Sequence, residues 1–334
     1  MKSSTWLRTG TVGMLLATNL FTPPARAQAP ANVTVNVFPG GFNWPSFVGQ
    51  QKGFFERNGI RVTLQATPNS VEQMTGLAEG KFDIAMTAFD NIVAYVEGQG
   101  EAPIGAQPEF FAFMGSDNGF LSLIGAPDVK KLADLKGKSL SVDARTTGYA
   151  FVLFDILRRN GLAEGDYKIE KVGGTTLRWE ALREGKQSGT LLSAPFNFIA
   201  SEQHFNQLVK ATNVIGPYQG NVAATRRSWA KENRPKVVAF IRGYAQAIDW
   251  LYNKANREEA ISILLNNARM SPEIAERTYD ELLDPKDGFF HKARINTDGV
   301  RTVLALRSRY ADAKKKLNDP SKYYDPSYYD AALR

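Results

Sequence analysis

The residues best suited to ligand chemistry in this sequence are Arg145, Thr146, Thr147 and Gly148, which directly follow a predicted strand and open a predicted helix. The unpaired backbone N–H groups of a helix N-terminus, two hydroxyls and a guanidinium together favour a carboxylate, a sulfonate or a phosphate. In the alternative interpretation, one of the two threonines only caps the helix and Arg145 lies in solvent. The pattern therefore predicts an anion site.

A second candidate group lies in the loop after the first predicted strand and consists of Gly41, Phe42, Asn43 and Trp44. Gly41 permits close approach of the backbone, and the rings of Phe42 and Trp44 can stack on a flat ligand. Asn43 supplies a short amide that can hydrogen-bond a ligand. For Trp44, packing beneath the following helix is an equally good interpretation.

Six further candidates lie at strand ends or at chain crossings: Asp90, Asn91, Ser116, Phe196, Asn197 and Gln219. Asp90 is predicted either to accept a hydrogen bond from a ligand or balance its charge, or to cap the helix that follows. Phe196 supplies an apolar wall or a core side chain, and Asn197 supplies an orienting amide. Gln219 lies on a crossing, where hinge backbone and ligand contact often coincide.

The composition excludes several classes of function. The 334 residues include no cysteine and only two histidines, His204 and His291, which are far apart. Disulfides, thiolate nucleophiles, cysteine-bound zinc and iron–sulfur clusters are therefore excluded. Phosphate-binding and serine-hydrolase motifs are also absent. Two small basic clusters, at 226–229 and 307–310, are interpreted as exposed helix surface. We therefore expect no enzyme, no cofactor, no metal ion and no nucleic-acid partner.

The elements that must position these residues alternate between strand and helix. Strands are predicted at 33–38, 60–65, 82–86 and 139–142, a helix is predicted over 45–57, and Ser70 is predicted to cap another. Further helices are predicted at 234–253, 257–266, 272–283 and 297–316. This alternation indicates an α/β fold with largely parallel sheets. In such folds ligands bind outside the carboxyl ends of the strands, which is where the candidate residues lie.

An internal duplication predicts two similar domains. Residues 57–60 are echoed by 159–162, and residues 77–81 are echoed by 182–186 at an offset of 105. Turn-rich segments at 115–119 and 215–220 are predicted to connect the domains twice. We therefore predict one lobe from 28–115 together with the helical segment 217–334, and a second lobe from 116–216.

The first 27 residues have the pattern of a secretory signal peptide. Lys2 and Arg8 precede an apolar stretch at 12–21, and Ala25-Arg26-Ala27 offers a cleavage site. Cleavage would lower the formal net charge from +7 to +4. No other stretch is long and apolar enough to span a bilayer. We expect an exported, periplasmic protein without a lipid anchor.

Several motifs resemble those of the periplasmic substrate-binding proteins of ABC importers. They are Gln51–Ile60 (QKGFFERNGI), Gly80–Ala85 (GKFDIA) and Asp134–Lys138 (DLKGK). Asp319-Pro320 and the tyrosine-rich tail are similar to the branch that binds sulfonates, taurine and thiamine-pyrimidine precursors. Residues 186–191 depart from the pattern, because the family commonly has an aspartate before this strand.

The resemblance implies a two-lobed type II periplasmic binding fold in which each lobe is a mostly parallel sheet flanked by helices. It also implies a monomer that delivers a small solute to a membrane permease and its ATPase. The anion site favours a small organic anion, aromatic or sulfonated, although Asp90 would suit an amine. The alternatives are an enzyme acting on a pyrimidine-like compound, and a ligand sensor. The related fungal pyrimidine synthases use a cysteine-rich motif and a histidine, and this chain has no such motif.

Overall fold

The computed structural model describes residues 1, 4–5, 29–105, 108–312 and 314–334. The predicted signal peptide lies almost entirely outside these residues. The strands of the described part are β1 (Ala31–Val37), β2 (Ile60–Ala66), β3 (Ile84–Ala88), β4 (Phe110–Gly115), β5 (Ser122–Gly125), β6 (Ser139–Val142), β7 (Lys168–Lys171), β8 (Gly189–Leu192), β9 (Asn206–Lys210) and β10 (Asn221–Arg226).

The α-helices lie between and after these strands. They are α1 (Trp44–Gln51), α2 (Phe54–Arg57), α3 (Ser70–Glu79), α4 (Phe89–Val96), α5 (Gly148–Arg159), α6 (Thr175–Arg183), α7 (Phe196–Glu202), α8 (Thr212–Ile215), α9 (Arg227–Glu232), α10 (Arg234–Tyr252), α11 (Arg257–Asn267), α12 (Pro272–Leu282), α13 (Thr297–Tyr310) and α14 (Ser327–Leu333). In the part of the chain that the structure describes, no helix is long and apolar enough to cross a membrane.

The strands form two sheets with the same arrangement, and each sheet is the centre of one lobe. Lobe 1 has the order β2-β1-β3-β10-β4, and lobe 2 has the order β7-β6-β8-β5-β9. In lobe 1, β1 pairs in parallel with β2 and β3, whereas β10 is antiparallel to both β3 and β4. Each sheet is therefore mixed, with one strand opposing the rest. The predicted two-lobed α/β fold is confirmed.

The two crossings exchange strands between the sheets. The first crossing connects β4, at the edge of the lobe 1 sheet, to β5, which lies next to the edge in lobe 2. The second crossing connects β9, at the edge of the lobe 2 sheet, to β10, which takes the matching place in lobe 1. The two sheets thus have matching strand orders, as the sequence duplication predicts.

The two crossings run side by side. A Cβ atom on Gly220 would lie 2.1 Å from the backbone nitrogen of Gly119, so only glycine permits this approach. The Gly220 N–H donates to the Asp117 carbonyl (2.9 Å). The carboxylate of Asp117 accepts from the Gly119 N–H (2.7 Å) and from the Asn221 amide (3.0 Å). One buried carboxylate therefore ties both connections together.

Three predictions about helices are wrong, one in continuity, one in the capping residue and one in the last residue. The helix predicted over 45–57 breaks into α1 and α2, because Gly53 adopts a left-handed conformation with φ of 67°. Asn69, and not Ser70, caps α3, since its side chain accepts a hydrogen bond from the Glu72 N–H. The helix α13 ends at Tyr310, well before residue 316, because the backbone of Ala311 is extended.

Candidate functional site

A pocket lies between the two lobes, at the carboxyl ends of their parallel strands. It contains about 540 Å³ of space free of protein atoms, including its open mouth. Its lining comes from both lobes and both crossings: Phe38, Phe42, Ala88, Asn91, Gly119, Asp143, Thr147, Gly148, Tyr149, Gly174, Thr175, Arg178, Ser193 and Asn221. This is the position at which α/β sheets commonly hold their ligands.

The lobes touch each other around this pocket, so the cleft is closed. The hydrogen bonds that cross from lobe to lobe include Gly41 N–H to Ala194 O (3.0 Å), Gly174 N–H to Pro68 O (2.8 Å), and Ser70 N–H to the Asp143 carboxylate (3.1 Å). The last bond places an anionic side chain of lobe 2 at the N-terminus of α3 in lobe 1, where a negative charge is favourable.

The N-terminus of α5 forms one wall of the pocket. Thr147 has the conformation of a capping residue, but its hydroxyl donates to the Ala144 carbonyl (2.9 Å), and no side-chain hydrogen bond caps the helix. Gly148 follows it, and both residues line the pocket. The first backbone N–H groups of α5 therefore provide positive electrostatic potential to this wall.

Arg178 provides a fixed cation in the wall that lobe 2 contributes. Its side chain is buried, with 4% exposed, and donates to the carbonyls of Gly173 (2.7 Å) and Leu191 (3.1 Å) and to the Thr190 hydroxyl (3.1 Å). Among the described residues, no carboxylate lies within 4.0 Å of it. Burial lowers the pKa of Arg178 and the negative charge of Asp143 raises it, but a guanidinium stays protonated.

The hydroxyl of Tyr149 is an unsatisfied polar group in the wall of the pocket. It is buried and has no hydrogen-bond partner among the described residues. Burial and the nearby Asp117 carboxylate raise the pKa of Tyr149 far above its ordinary value. The phenol therefore remains a neutral hydrogen-bond donor. With the rings of Phe38 and Phe42, it gives the pocket a hydrogen-bond donor beside apolar aromatic surface.

Four of the residues singled out in the sequence line the pocket: Phe42, Asn91, Thr147 and Gly148. Arg145 and Thr146 do not, and instead line an outer groove beside α5. The side chain of Arg145 is 55% exposed and pairs with Glu164 (3.6 Å), while the Thr146 hydroxyl donates to Glu101 (3.3 Å). The exposed arginine of the predicted anion site thus lies outside the pocket.

Trp44 belongs to the core, as the alternative interpretation of this residue predicts. It has no exposed surface, and its indole N–H donates to the Ala260 carbonyl (3.0 Å). Asn43 donates to the Phe38 carbonyl (2.6 Å) and thereby holds the loop that carries two pocket residues. Gly41 contributes its N–H to the contact with Ala194 described above, and packing leaves little room for a side chain there.

Asp90 is buried and forms an ion pair with Arg307, whose Nε lies 2.8 Å from Oδ1. It lies in the first turn of α4 but is not its cap, because the capping position is Ala88. The pairing accounts for the negative charge of Asp90 without a ligand. It also corrects the interpretation of 307–310 as exposed surface, because Arg307 is only 1% exposed.

The remaining four candidates do not line the pocket, and their contacts stabilise the fold. The Ser116 hydroxyl donates to Asp117 (2.8 Å), and Gln219 donates to the Asn221 carbonyl (2.9 Å), so both support the crossings. Phe196 packs against the small apolar cluster that contains Trp179 and Leu192. Asn197 reaches across the cleft and donates to Glu281 of α12 (3.1 Å).

The sequence analysis missed the loop after β7, which brings Gly174, Thr175 and Arg178 into the pocket. A signal was present in the duplication, since an offset of 105 places Thr175 opposite Ser70 at the start of α3. Arg178 itself carried no signal, because an arginine in a short polar helix normally points into solvent.

The sequence profile of the family described as NMT1/THI5 like matches residues 43–258, which is more than half of the chain. The chain belongs to the NMT1/THI5-like family. This match confirms the family resemblance that the sequence motifs indicate. The matched region runs from the loop that carries Phe42 through both crossings to the beginning of α11. No curated protein matches the chain in sequence.

Solved structures show the same fold at low sequence identity. The alkanesulfonate-binding protein SsuA from Xanthomonas axonopodis pv. citri, bound to MOPS, is 15% identical with a TM-score of 0.68, covering 88% of this chain and 96% of its own. The nitrate-binding protein NrtA from Synechocystis PCC 6803 is 13% identical with a TM-score of 0.74, covering 91% and 89%. The desulfurization enzyme DSZB is 12% identical with a TM-score of 0.59, covering 91% and 99%. This NMT1/THI5-like protein therefore has the fold of the periplasmic solute-binding proteins of ABC import systems.

Proposed function

We propose that this protein captures a small organic anion between its lobes outside the cytoplasm and delivers it to an ABC-type importer. The observation that carries the proposal is the closed interlobe pocket, whose lining combines a buried arginine, an uncapped helix N-terminus and an unpartnered tyrosine hydroxyl. All three groups are hydrogen-bond donors or carry positive charge, and all three belong to the wall that lobe 2 contributes.

The mechanism follows from the two crossings. Solute enters while the lobes are apart, and rotation about residues 115–120 and 215–220 closes them. Closure forms the interlobe hydrogen bonds at Gly41, Gly174 and Ser70 and covers the solute. The closed molecule then presents a joint surface of both lobes to the permease, and no bond of the solute changes.

The charges of the pocket support an anion as the solute. Arg178 and the α5 N-terminus face it, and the Asp143 carboxylate near Arg178 accepts a hydrogen bond from the Ser70 N–H. The rings of Phe38, Phe42 and Tyr149 favour a solute with a flat or apolar part. The structural relatives named for alkanesulfonate and nitrate bind anions, which agrees with this assignment.

The test is a thermal-shift screen of residues 28–334 against sulfonates, aromatic carboxylates and pyrimidines, followed by calorimetric titration of each hit. A solute present at about 100 times its Kd adds about 2.7 kcal/mol of apparent stability, which such a screen detects. We expect hits among the anions. Stabilisation by neutral or cationic pyrimidines alone would contradict the anionic solute.

A matched pair of variants then locates the anion. Tyr149→Phe removes a hydroxyl from the pocket, whereas Arg145→Met removes the exposed guanidinium that the sequence pattern favours. We expect the first to weaken binding of an anionic hit and the second to leave it unchanged. The opposite result would show that the anion binds at the outer groove.

An enzyme on the same scaffold is the second candidate, because the desulfurization enzyme shares the fold. The residues that line the pocket include no histidine, so proton transfer there would depend on Asp143 or Tyr149. Mass spectrometry of each hit after prolonged incubation with the protein separates the two. A product formed in proportion to protein concentration would favour the enzyme, and recovery of unchanged solute favours transport.

A further inference from the structure

The helix α13 comes from the last segment of the chain but contacts both lobes. It packs against α4 of lobe 1 and α5 of lobe 2. The Tyr310 ring stacks on Phe151 of α5, with 6.0 Å between ring centroids, and its hydroxyl donates to Asp155 (2.8 Å). The chain thus joins the lobes at a third place besides the two crossings.

Arg307 of α13 is the side chain that links the lobes most directly. Its guanidinium is buried and grips the Asp90 carboxylate of lobe 1, with Nε 2.8 Å from Oδ1 and Nη2 2.5 Å from Oδ2. The same Nη2 donates to the Thr146 carbonyl of lobe 2 (2.6 Å). Its Nη1 donates to Gln99 (3.0 Å), and the guanidinium lies over the Phe151 ring.

This arrangement lies directly behind the pocket wall. Thr146 is followed by Thr147 and Gly148, which line the pocket. Gly148 rests on Asp90, since a Cβ atom at Gly148 would lie 2.4 Å from the Cβ of Asp90. The position of the α5 N-terminus in the closed cleft is therefore fixed by Asp90 beneath it and by Arg307 at its side.

We propose that Arg307 is a positioning residue, which holds the α5 N-terminus against lobe 1 and so stabilises the closed state of the pocket. The bidentate pair with Asp90 fixes the planar guanidinium, and the fixed plane presents one donor to the Thr146 carbonyl. When the lobes separate, that donor loses its partner while the ion pair stays in lobe 1. The proposal rests on the proposed function only in taking the pocket as the solute site.

The test measures the distance between the lobes without solute. Because the sequence has no cysteine, Glu79→Cys in α3 and Glu180→Cys in α6, both at exposed positions, accept one nitroxide label each. Pulsed electron resonance then gives the distribution of interlobe distances. In the distance distribution of Arg307→Met, we expect the shortest-distance peak of the doubly labelled parent to disappear and a peak at longer distance to appear. In Arg307→Lys, we expect both peaks to be present.

Two further variants keep the result decisive. Gly148→Ala places a methyl group against the Asp90 side chain, 2.4 Å from its Cβ and 2.5 Å from its Cγ, and must also lengthen the distance. If Arg307→Met does not fold, Arg307→Lys, which keeps the positive charge but not the bidentate geometry, must still lengthen it. Arg309→Met changes an exposed arginine of the same helix and must leave the distribution unchanged. An unchanged distribution in folded Arg307→Met or Gly148→Ala, or an equal shift in Arg309→Met, would overturn the proposal. Failure to find any solute would leave these distances unaffected and would count only against the proposed function.

Discussion

Tyr149 is the residue at which solute binding and folding are most clearly separable. Its hydroxyl is buried without a hydrogen-bond partner among the described residues, so the folded protein gains nothing from it. A hydrogen bond from a neutral donor to a charged group contributes about 1.5–3 kcal/mol. The hydroxyl is therefore available as a donor to a solute.

We predict that Tyr149→Phe lowers the affinity for an anionic solute by about tenfold or more and leaves the thermal midpoint of the solute-free protein equal or slightly higher. Titration calorimetry and thermal unfolding measure the two quantities. Tyr167→Phe, at the outer groove, is the matched control and should change neither. A loss of stability in Tyr149→Phe without loss of affinity would show that the hydroxyl is structural.

Trp44 is the opposite case, because its side chain contributes to folding stability and does not line the pocket. Because the ring is fully buried beside Tyr279 and its N–H is bonded to the Ala260 carbonyl, Trp44→Ala should lower the free energy of unfolding by about 3–5 kcal/mol. Phe42→Ala, two residues earlier and only partly buried, should cost less stability and weaken solute binding instead. Urea unfolding with titration of both variants checks this. Equal effects on stability would contradict it.

At the scale of elements, the Asp117 carboxyl that joins the two crossings links the stability of the fold to pH. Burial raises the pKa of this carboxyl, although hydrogen bonds from Gly119, Ser116 and Asn221 lower it. A raised pKa in the folded state means that the folded chain holds the proton longer than the unfolded chain. The associated stability is present at low pH and is lost as the pH rises through the raised pKa.

We therefore predict that Asp117→Asn gains stability relative to wild type as the pH rises from about 4, the usual aspartate value, towards neutrality. Each pKa unit between folded and unfolded chains corresponds to about 1.4 kcal/mol. Urea unfolding at a series of pH values measures the difference. A difference that stays constant with pH would mean that Asp117 titrates as in the unfolded chain.

Element positions were more predictable than side-chain directions. Alternating apolar strands, the glycine-containing loops and the duplicated motifs predicted both sheets and the edge at which a pocket forms. They favoured Arg145 and did not single out Arg178, because only tertiary packing exposes the first and buries the second. Asp90 and Arg307 are 217 residues apart, so no local pattern predicted their pairing.

At the scale of the molecule, the two lobes share apolar packing. One buried cluster extends from Leu77 and Phe89 in lobe 1 through Tyr218 of the second crossing to Leu153 in lobe 2, with Leu306 of α13 among its members. Loss of either lobe would expose part of this cluster to water. The lobes are therefore coupled in stability as well as by the crossings.

We predict a single cooperative thermal transition for residues 28–334 without solute, with equal calorimetric and van't Hoff enthalpies. Differential scanning calorimetry measures both. Two separated transitions would show that the lobes unfold independently and that the shared cluster contributes little in solution. Arg307→Met, which leaves the apolar cluster intact, should retain one transition at a lower temperature.

Because the crossings exchange strands between the sheets, the two lobes become complete in a fixed order as the chain is synthesised. A ribosome completes lobe 2 first, because its sheet is drawn from the continuous stretch 122–210, while lobe 1 lacks β10 until residues 221–226 have been made. Until then β3 has an open edge, and an open edge invites pairing with the wrong strand. The N-terminal half therefore keeps this open edge until the whole of lobe 2 and then β10 have been added to the chain.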